Sequence, residues 1–228
     1  MRKITLEDIF FAYLKSINML NTFPTVLVMD STYKTNTYRM PLFEIAGVTS
    51  TKITYSVAFS FLSFELEDDF TWALEMLVGL LTSTCLRRLS LIWTRYTLMN
   101  VVAKFLLETY HINCYFHIGK NVKAKCITYC RVKAKPTNAK FVEKEVKEAK
   151  EKKYCYLVKK IIRVWKEVVE SPTEDTYGSA LLKFKEVCEP FPKFVEYVEP
   201  TVLTVKKKFA RAWTNKVLHL GCRTTNIV

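Results

Sequence analysis

The stretch Thr25-Val26-Leu27-Val28-Met29-Asp30-Ser31-Thr32-Tyr33-Lys34-Thr35-Asn36 sets the plan of the chain. A short run apolar on both faces is the mark of a central strand covered on both sides. It ends in one carboxylate, Asp30, followed by a polar turn. An acid there stands where a sheet opens to solvent, a place for a metal ligand as well as for an ordinary turn or cap residue.

Outward from this strand, Met40–Val48 reads as a second. Tyr55, Val57, Phe59 and Phe61 alternate with Ser56, Ala58, Ser60 and Leu62 as a third. Short connections make these three an antiparallel meander. Asp68-Asp69 precede Phe70, Ala73, Leu74, Leu77, Leu80 and Leu81, a one-sided helix with acids at its positive end. Leu89–Trp93 follows as a fourth strand, which the helical crossover makes parallel to the first. A helix through Leu98, Val101, Val102 and Phe105 leads to a fifth strand over 111–117, ending in Cys114-Tyr115-Phe116-His117. Residues 9–21, ahead of the first strand, read as helical or irregular.

Beyond residue 117 strands cease. Three helical stripes are expected. The first runs Tyr154, Leu157, Val158, Ile161, Ile162, Trp165, Val168 and Val169; the second runs from Tyr177 to Phe191, and the third from Val202 to Trp213. Ser171 is the expected N-cap of the second, with Pro172 in its first turn. Residues 131–153, rich in Lys and Glu, read as an exposed connection. The fold class is α/β: a mixed five-stranded sheet, three antiparallel strands then two parallel, followed by an all-helical insertion. That order matches a ribonuclease H-like sheet. The expected divisions are 1–22 as lead-in, 23–130 as core, 131–220 as basic helical insertion and 221–228 as the start of a further helical region.

Charge divides the chain as well. Residues 1–120 hold 11 Lys/Arg and 10 Asp/Glu, whereas 121–228 hold 24 and 12. A basic half suits a polyanion such as nucleic acid. Lys120, Lys123, Lys206, Lys207, Lys208 and Arg211 are the candidate contacts. Seven cysteines, an odd number, argue for a reducing compartment and not for a disulfide framework. No run of 18 apolar residues is present, so no membrane span is expected. Acids near the N-terminus do not suit a signal peptide.

At Val28-Met29-Asp30-Ser31-Thr32-Tyr33-Lys34-Thr35-Asn36 with Met40-Pro41-Leu42, the sequence resembles the Mutator-like element (MULE) transposase domain, plant type. Further matches are Leu98-Met99-Asn100, Cys114-x-Phe116-His117-x-x-Lys120-Asn121-Val122, Trp213-Thr214 and Leu220-Gly221-Cys222-Arg223-Thr224-Thr225-Asn226. The resemblance covers roughly residues 9–228. It implies a ribonuclease H-like fold, nuclear location, DNA as partner and a DDE-type site. In that site two aspartates and a glutamate hold two Mg²⁺ or Mn²⁺ ions about 3.5–4 Å apart. Asp30 corresponds to the first acid. The second position falls at Trp93, whose indole offers no oxygen. The third acid is expected beyond Val228.

Glu44, Glu65 and Glu67 do not fit the family pattern as replacements. The expectation is a remnant that no longer cleaves DNA. The alternative is a non-catalytic DNA- or protein-binding module related to plant far-red-response regulators. A homo-oligomer is expected if one sheet face is left uncovered, and no small-molecule substrate is. Cys114, His117, Cys126 and Cys130 read C-x2-H-x8-C-x3-C, a candidate zinc set, with packed thiols and a hydrogen-bonded imidazole as the plainer reading.

Overall fold

The computed structural model describes residues 8–33, 35–81, 90–93, 96–105, 110–131 and 143–225. The chain forms two compact units, one of Met1–Cys114 with Lys216–Val228, the other of Tyr115–Asn215.

The first unit is built on six strands: β1 (Ile9–Ala12), β2 (Val26–Thr32), β3 (Leu42–Val48), β4 (Thr54–Phe61), β5 (Ser90–Trp93) and β6 (Tyr110–Asn113). Their order across the sheet is β1-β4-β3-β2-β5-β6. From β1 to β2 every pairing is antiparallel, and β2-β5-β6 is parallel. The apolar run Val26–Met29 of β2 is therefore where the sheet changes from antiparallel to parallel. Among the described residues, α1 (Leu14–Thr22), α2 (Glu67–Gly79) and α3 (Tyr96–Phe105) accompany it.

Alternation along the strands sorts side chains onto two faces. Leu27, Met29, Phe43, Ile45 and Val57 pack with Leu20 of α1, Phe70 and Leu74 of α2 and Val101 of α3. Val26, Val28, Ala46, Val48 and Ile112 fill the opposite face, where Leu220 and Cys222 of the C-terminal segment pack against them. The acids expected at the helix start sit in the first turn of α2, and the Asp69 carboxylate accepts the Leu66 N–H at 2.9 Å.

Gly47 sits inside β3, in register with Tyr55 of β4, and the Tyr55 ring lies where a Cβ would go. An aromatic ring laid over a strand glycine restores packing that the missing side chain cannot supply. Gly47→Ala must displace the ring and is expected to destabilise the chain by about 1–3 kcal/mol. A denaturant midpoint equal to that of the native chain would disprove the close approach.

The second unit is helical: α4 (Tyr115–Tyr129), α5 (Glu143–Glu170), α6 (Glu174–Cys188), α7 (Pro192–Thr201), a 3-10 helix (Leu203–Lys208) and α8 (Arg211–Thr214). Its core gathers Val122 and Cys126 of α4, Ile161 and Trp165 of α5, Phe184 of α6 and Phe194 of α7. Burial raises the Tyr177 hydroxyl and the Cys188 thiol to about 12 each; for Cys188, the nearby Cys126 adds to the rise.

Several expectations need correction. Residues 9–12 form an edge strand, so the sheet has six strands and not five. The fifth expected strand stops at Asn113, because Tyr115 already begins α4. Residues 143–153, expected as a connection, belong to α5, while 132–142 lie outside the described residues. The N-cap of α6 is Thr173, whose hydroxyl accepts the Thr176 N–H at 3.3 Å. Ser171 Oγ instead donates back to the Glu167 carbonyl at 2.8 Å, at the end of α5. The second stripe breaks after Cys188, since proline disfavours helix at the residue before it and Pro190 and Pro192 stand close together. The third stripe is not one helix either: Ala210 is extended and separates the 3-10 helix from α8.

Candidate active site at the end of the second strand

β2 is buried from Val26 to Met29 and becomes half-buried at Asp30, where the polar turn begins. The apolar run thus places a carboxylate at the carboxyl end of a strand with an antiparallel neighbour on one side and a parallel one on the other. Asp30 Oδ1 accepts the Ser31 N–H at 2.9 Å, and Oδ2 accepts the Thr225 hydroxyl at 3.2 Å.

Thr225 is itself fixed by β6. The residue that follows β6, Cys114, is buried, and its Sγ accepts the Thr225 N–H at 3.3 Å. Cys114 also donates to Thr224 Oγ1 at 3.6 Å. The Thr225 hydroxyl lies 3.7 Å from the same sulfur, but its single proton is better used on the charged carboxylate. Two segments singled out by the resemblance, Cys114 and Thr224-Thr225, therefore meet at Asp30. Sequence reasoning did not assign Thr225 a part; its signal was the Thr-Thr-Asn match.

Glu44 of β3 is the register partner of Asp30. Residues directly opposite on antiparallel strands share a face, with Cβ atoms about 4.5–5.5 Å apart. The Glu44 carboxylate accepts Ser56 Oγ–H at 2.8 Å. The other two acids weighed from the sequence have partners elsewhere. Glu65 accepts the Tyr33 hydroxyl. Glu67 accepts Asn100 Nδ2–H at 3.0 Å and Lys104 Nζ–H at 3.1 Å, and these bonds, with the lysine charge, hold its carboxyl below the usual range. Asn100 of the Leu-Met-Asn match thus ties α3 to the start of α2. Trp93 is the last residue of β5 and pairs in register with Asn113, the last of β6.

The four candidate zinc ligands do not converge. Cys114 is engaged at Asp30, while His117 lies in the first turn of α4. Cys126 is nine residues further along that helix, an axial rise of about 13 Å. Cys126 and Cys130 do adjoin: the Cys130 N–H donates to the Cys126 carbonyl at 2.9 Å, and a thiol–thiol hydrogen bond lowers Cys126 and raises Cys130. Among the described residues no group of three or more His, Cys, Asp or Glu side chains is placed to share a metal ion.

All six candidate nucleic-acid residues lie in the helical unit. Lys120 and Lys123 are exposed on α4, and Lys207 is exposed on the 3-10 helix. Lys206 lies over the rings of Tyr177 and Trp213, at 5.4 and 5.5 Å. Arg211 Nη1 stands 3.8 Å from Glu170 Oε2. No helix among the described residues is long and apolar enough to cross a membrane.

No curated protein matches the chain. A family model does, and it starts at the first residue of β2 and ends within α4, so it contains Asp30, Glu44, Trp93 and Cys114. That model describes the MULE transposase domain, to which the chain is similar over residues 26–121.

Proposed function

We propose that the chain is a transposase-derived DNA-binding protein whose ribonuclease H-like sheet no longer cleaves strands. The antiparallel β4-β3-β2 followed by parallel β5 and β6 supports that sheet plan, with β1 as an added edge strand. One observation carries the loss of cleavage: the strand end that should supply the second acid carries Trp93.

Magnesium takes near-octahedral oxygen coordination, and a two-ion site needs acids from several elements. At Asp30 the oxygen atoms of the described residues include its own carboxylate and the Thr225 hydroxyl, with Glu44 its register partner across the strand pair. Trp93, at the expected second-acid position, adds no oxygen to hold a pair of ions. A metal pair would supply several kcal/mol to the transition state, at tenfold in rate per ~1.4 kcal/mol, so an incomplete set forfeits useful turnover. What the residues themselves do is hold the C-terminal segment: the Thr225 hydroxyl on Asp30 and the Thr225 N–H on Cys114 tie the segment ending at Thr225 to the strand ends.

DNA is favoured over a protein partner by the 24 basic residues against 12 acidic in 121–228. A nuclear location is proposed with it, as the resemblance implies. Binding through lysines releases counterions, so affinity is expected to fall by tenfold or more between about 50 and 200 mM salt. Titration of labelled duplex at both salt concentrations checks this. Unchanged affinity would favour the alternative, a protein-binding module related to plant far-red-response regulators.

A further inference from the structure

The helical unit contains a cavity of about 400 Å³, a size ordinary for small-molecule clefts. Its walls include Phe116, Gly119, Lys120 and Lys123 of α4, and Trp165 and Lys166 of α5. We infer that this cavity receives one unpaired nucleobase of a DNA strand, with the lysines at its mouth holding the neighbouring phosphates. The inference rests on the proposed DNA binding and adds a site and a ligand to it.

Three observations carry it. First, the two kinds of group that bind single strands, an aromatic face and a cation, are already side by side. Phe116 is 39 % exposed, and Lys120 Nζ lies 4.7 Å from the centre of its ring. Bases of any sequence stack on such rings while lysines follow the backbone. Second, the charge around the cavity suits an anion. Lys120, Lys123 and Lys166 are all exposed, and the single acid of the wall, Glu170, faces Arg211.

Third, the cavity is kept open by a residue that the helix alone would not favour. Gly119 lies inside α4, where glycine is the poorest helix former apart from proline. A Cβ added there would meet nothing within 4 Å, so close packing is not what requires glycine. A longer side chain at 119 would instead project into the space that a base would occupy. Trp165 supplies the floor and is rigid, being packed against Phe184 and Phe209 at 5.4 and 6.0 Å.

The test uses the full chain and fluorescence anisotropy with two labelled strands of about 12 nucleotides, a length within usual site sizes. One is oligothymidylate; the other is the same sugar–phosphate backbone without bases. The native chain is expected to bind the thymidylate strand about tenfold or more tightly than the abasic one, the size of one base–aromatic stack. Gly119→Leu should abolish that preference, leave affinity for the abasic strand within about twofold, and melt no lower than the native chain. Phe116→Ala should reduce the preference independently, since it truncates an exposed side chain.

Equal binding of both strands by the native chain would overturn the inference, and so would a preference that survives Gly119→Leu. The first would mean that binding is to the backbone alone, the second that bases stack elsewhere on the chain. Failure to bind any DNA would overturn the proposed function as well, whereas binding without base dependence overturns only the cavity.

Discussion

Phe43→Ala is expected to lower the stability of the sheet unit by about 3–5 kcal/mol. Phe43 is fully buried on β3 and meets the ring of Phe70 of α2 edge-on, with centroids 5.2 Å apart. It also lies between Leu42 and Glu44, on the strand that fixes the register of Asp30. Truncation removes the transfer energy of the ring and leaves a cavity where sheet and helix meet, which the flanking strands can close only in part. Urea denaturation followed by circular dichroism measures the change. A loss below about 1 kcal/mol would show that α2 does not rest on β3 in this way.

The second large effect is Phe184→Ala in the helical unit, also about 3–5 kcal/mol. Phe184 joins three elements: its ring lies 5.4 Å from Trp165 of α5 and 6.2 Å from Phe194 of α7. Aromatic pairs contribute beyond the area they bury, so the cost should exceed that of an aliphatic truncation in the same core. Val198→Ala, in the same cluster, supplies the comparison and is expected to cost less. If both substitutions cost the same, the aromatic cluster contributes nothing of its own.

Much of the sheet was legible because its strands obey simple periods. β2 is apolar from Val26 to Met29, β4 alternates, and α2 begins with acids and continues as one apolar stripe. β1 was missed because four residues are too few to show a period, and Phe11, 46 % exposed, breaks the pattern of burial. The aromatic run Tyr115-Phe116-His117 resembles a strand in composition, yet its residues begin a helix whose buried positions, Val122 and Cys126, lie beyond it. Proline placement, and not apolar spacing, decides where α6 stops and α7 starts.

The candidate site was only partly legible, for a different reason. Asp30 could be found locally, as the single acid that closes an apolar strand. Thr225 is 195 positions away, and no local pattern announces a contact of that range. Glu44 fits no motif, and the strand register alone brings it opposite Asp30. Of the set Cys114, His117, Cys126 and Cys130, Cys114 follows β6 and accepts the Thr225 N–H, while the other three come after it, on α4 or at its end.

We propose that Asp30 is the retained acid of a transposase-derived core that no longer cuts DNA. Nicking of supercoiled plasmid by the purified chain in Mn²⁺, compared with Asp30→Ala, tests it most directly. The account predicts that both proteins leave the plasmid at the level of the protein-free control. Nicking by the native chain that disappears on Asp30→Ala would contradict it.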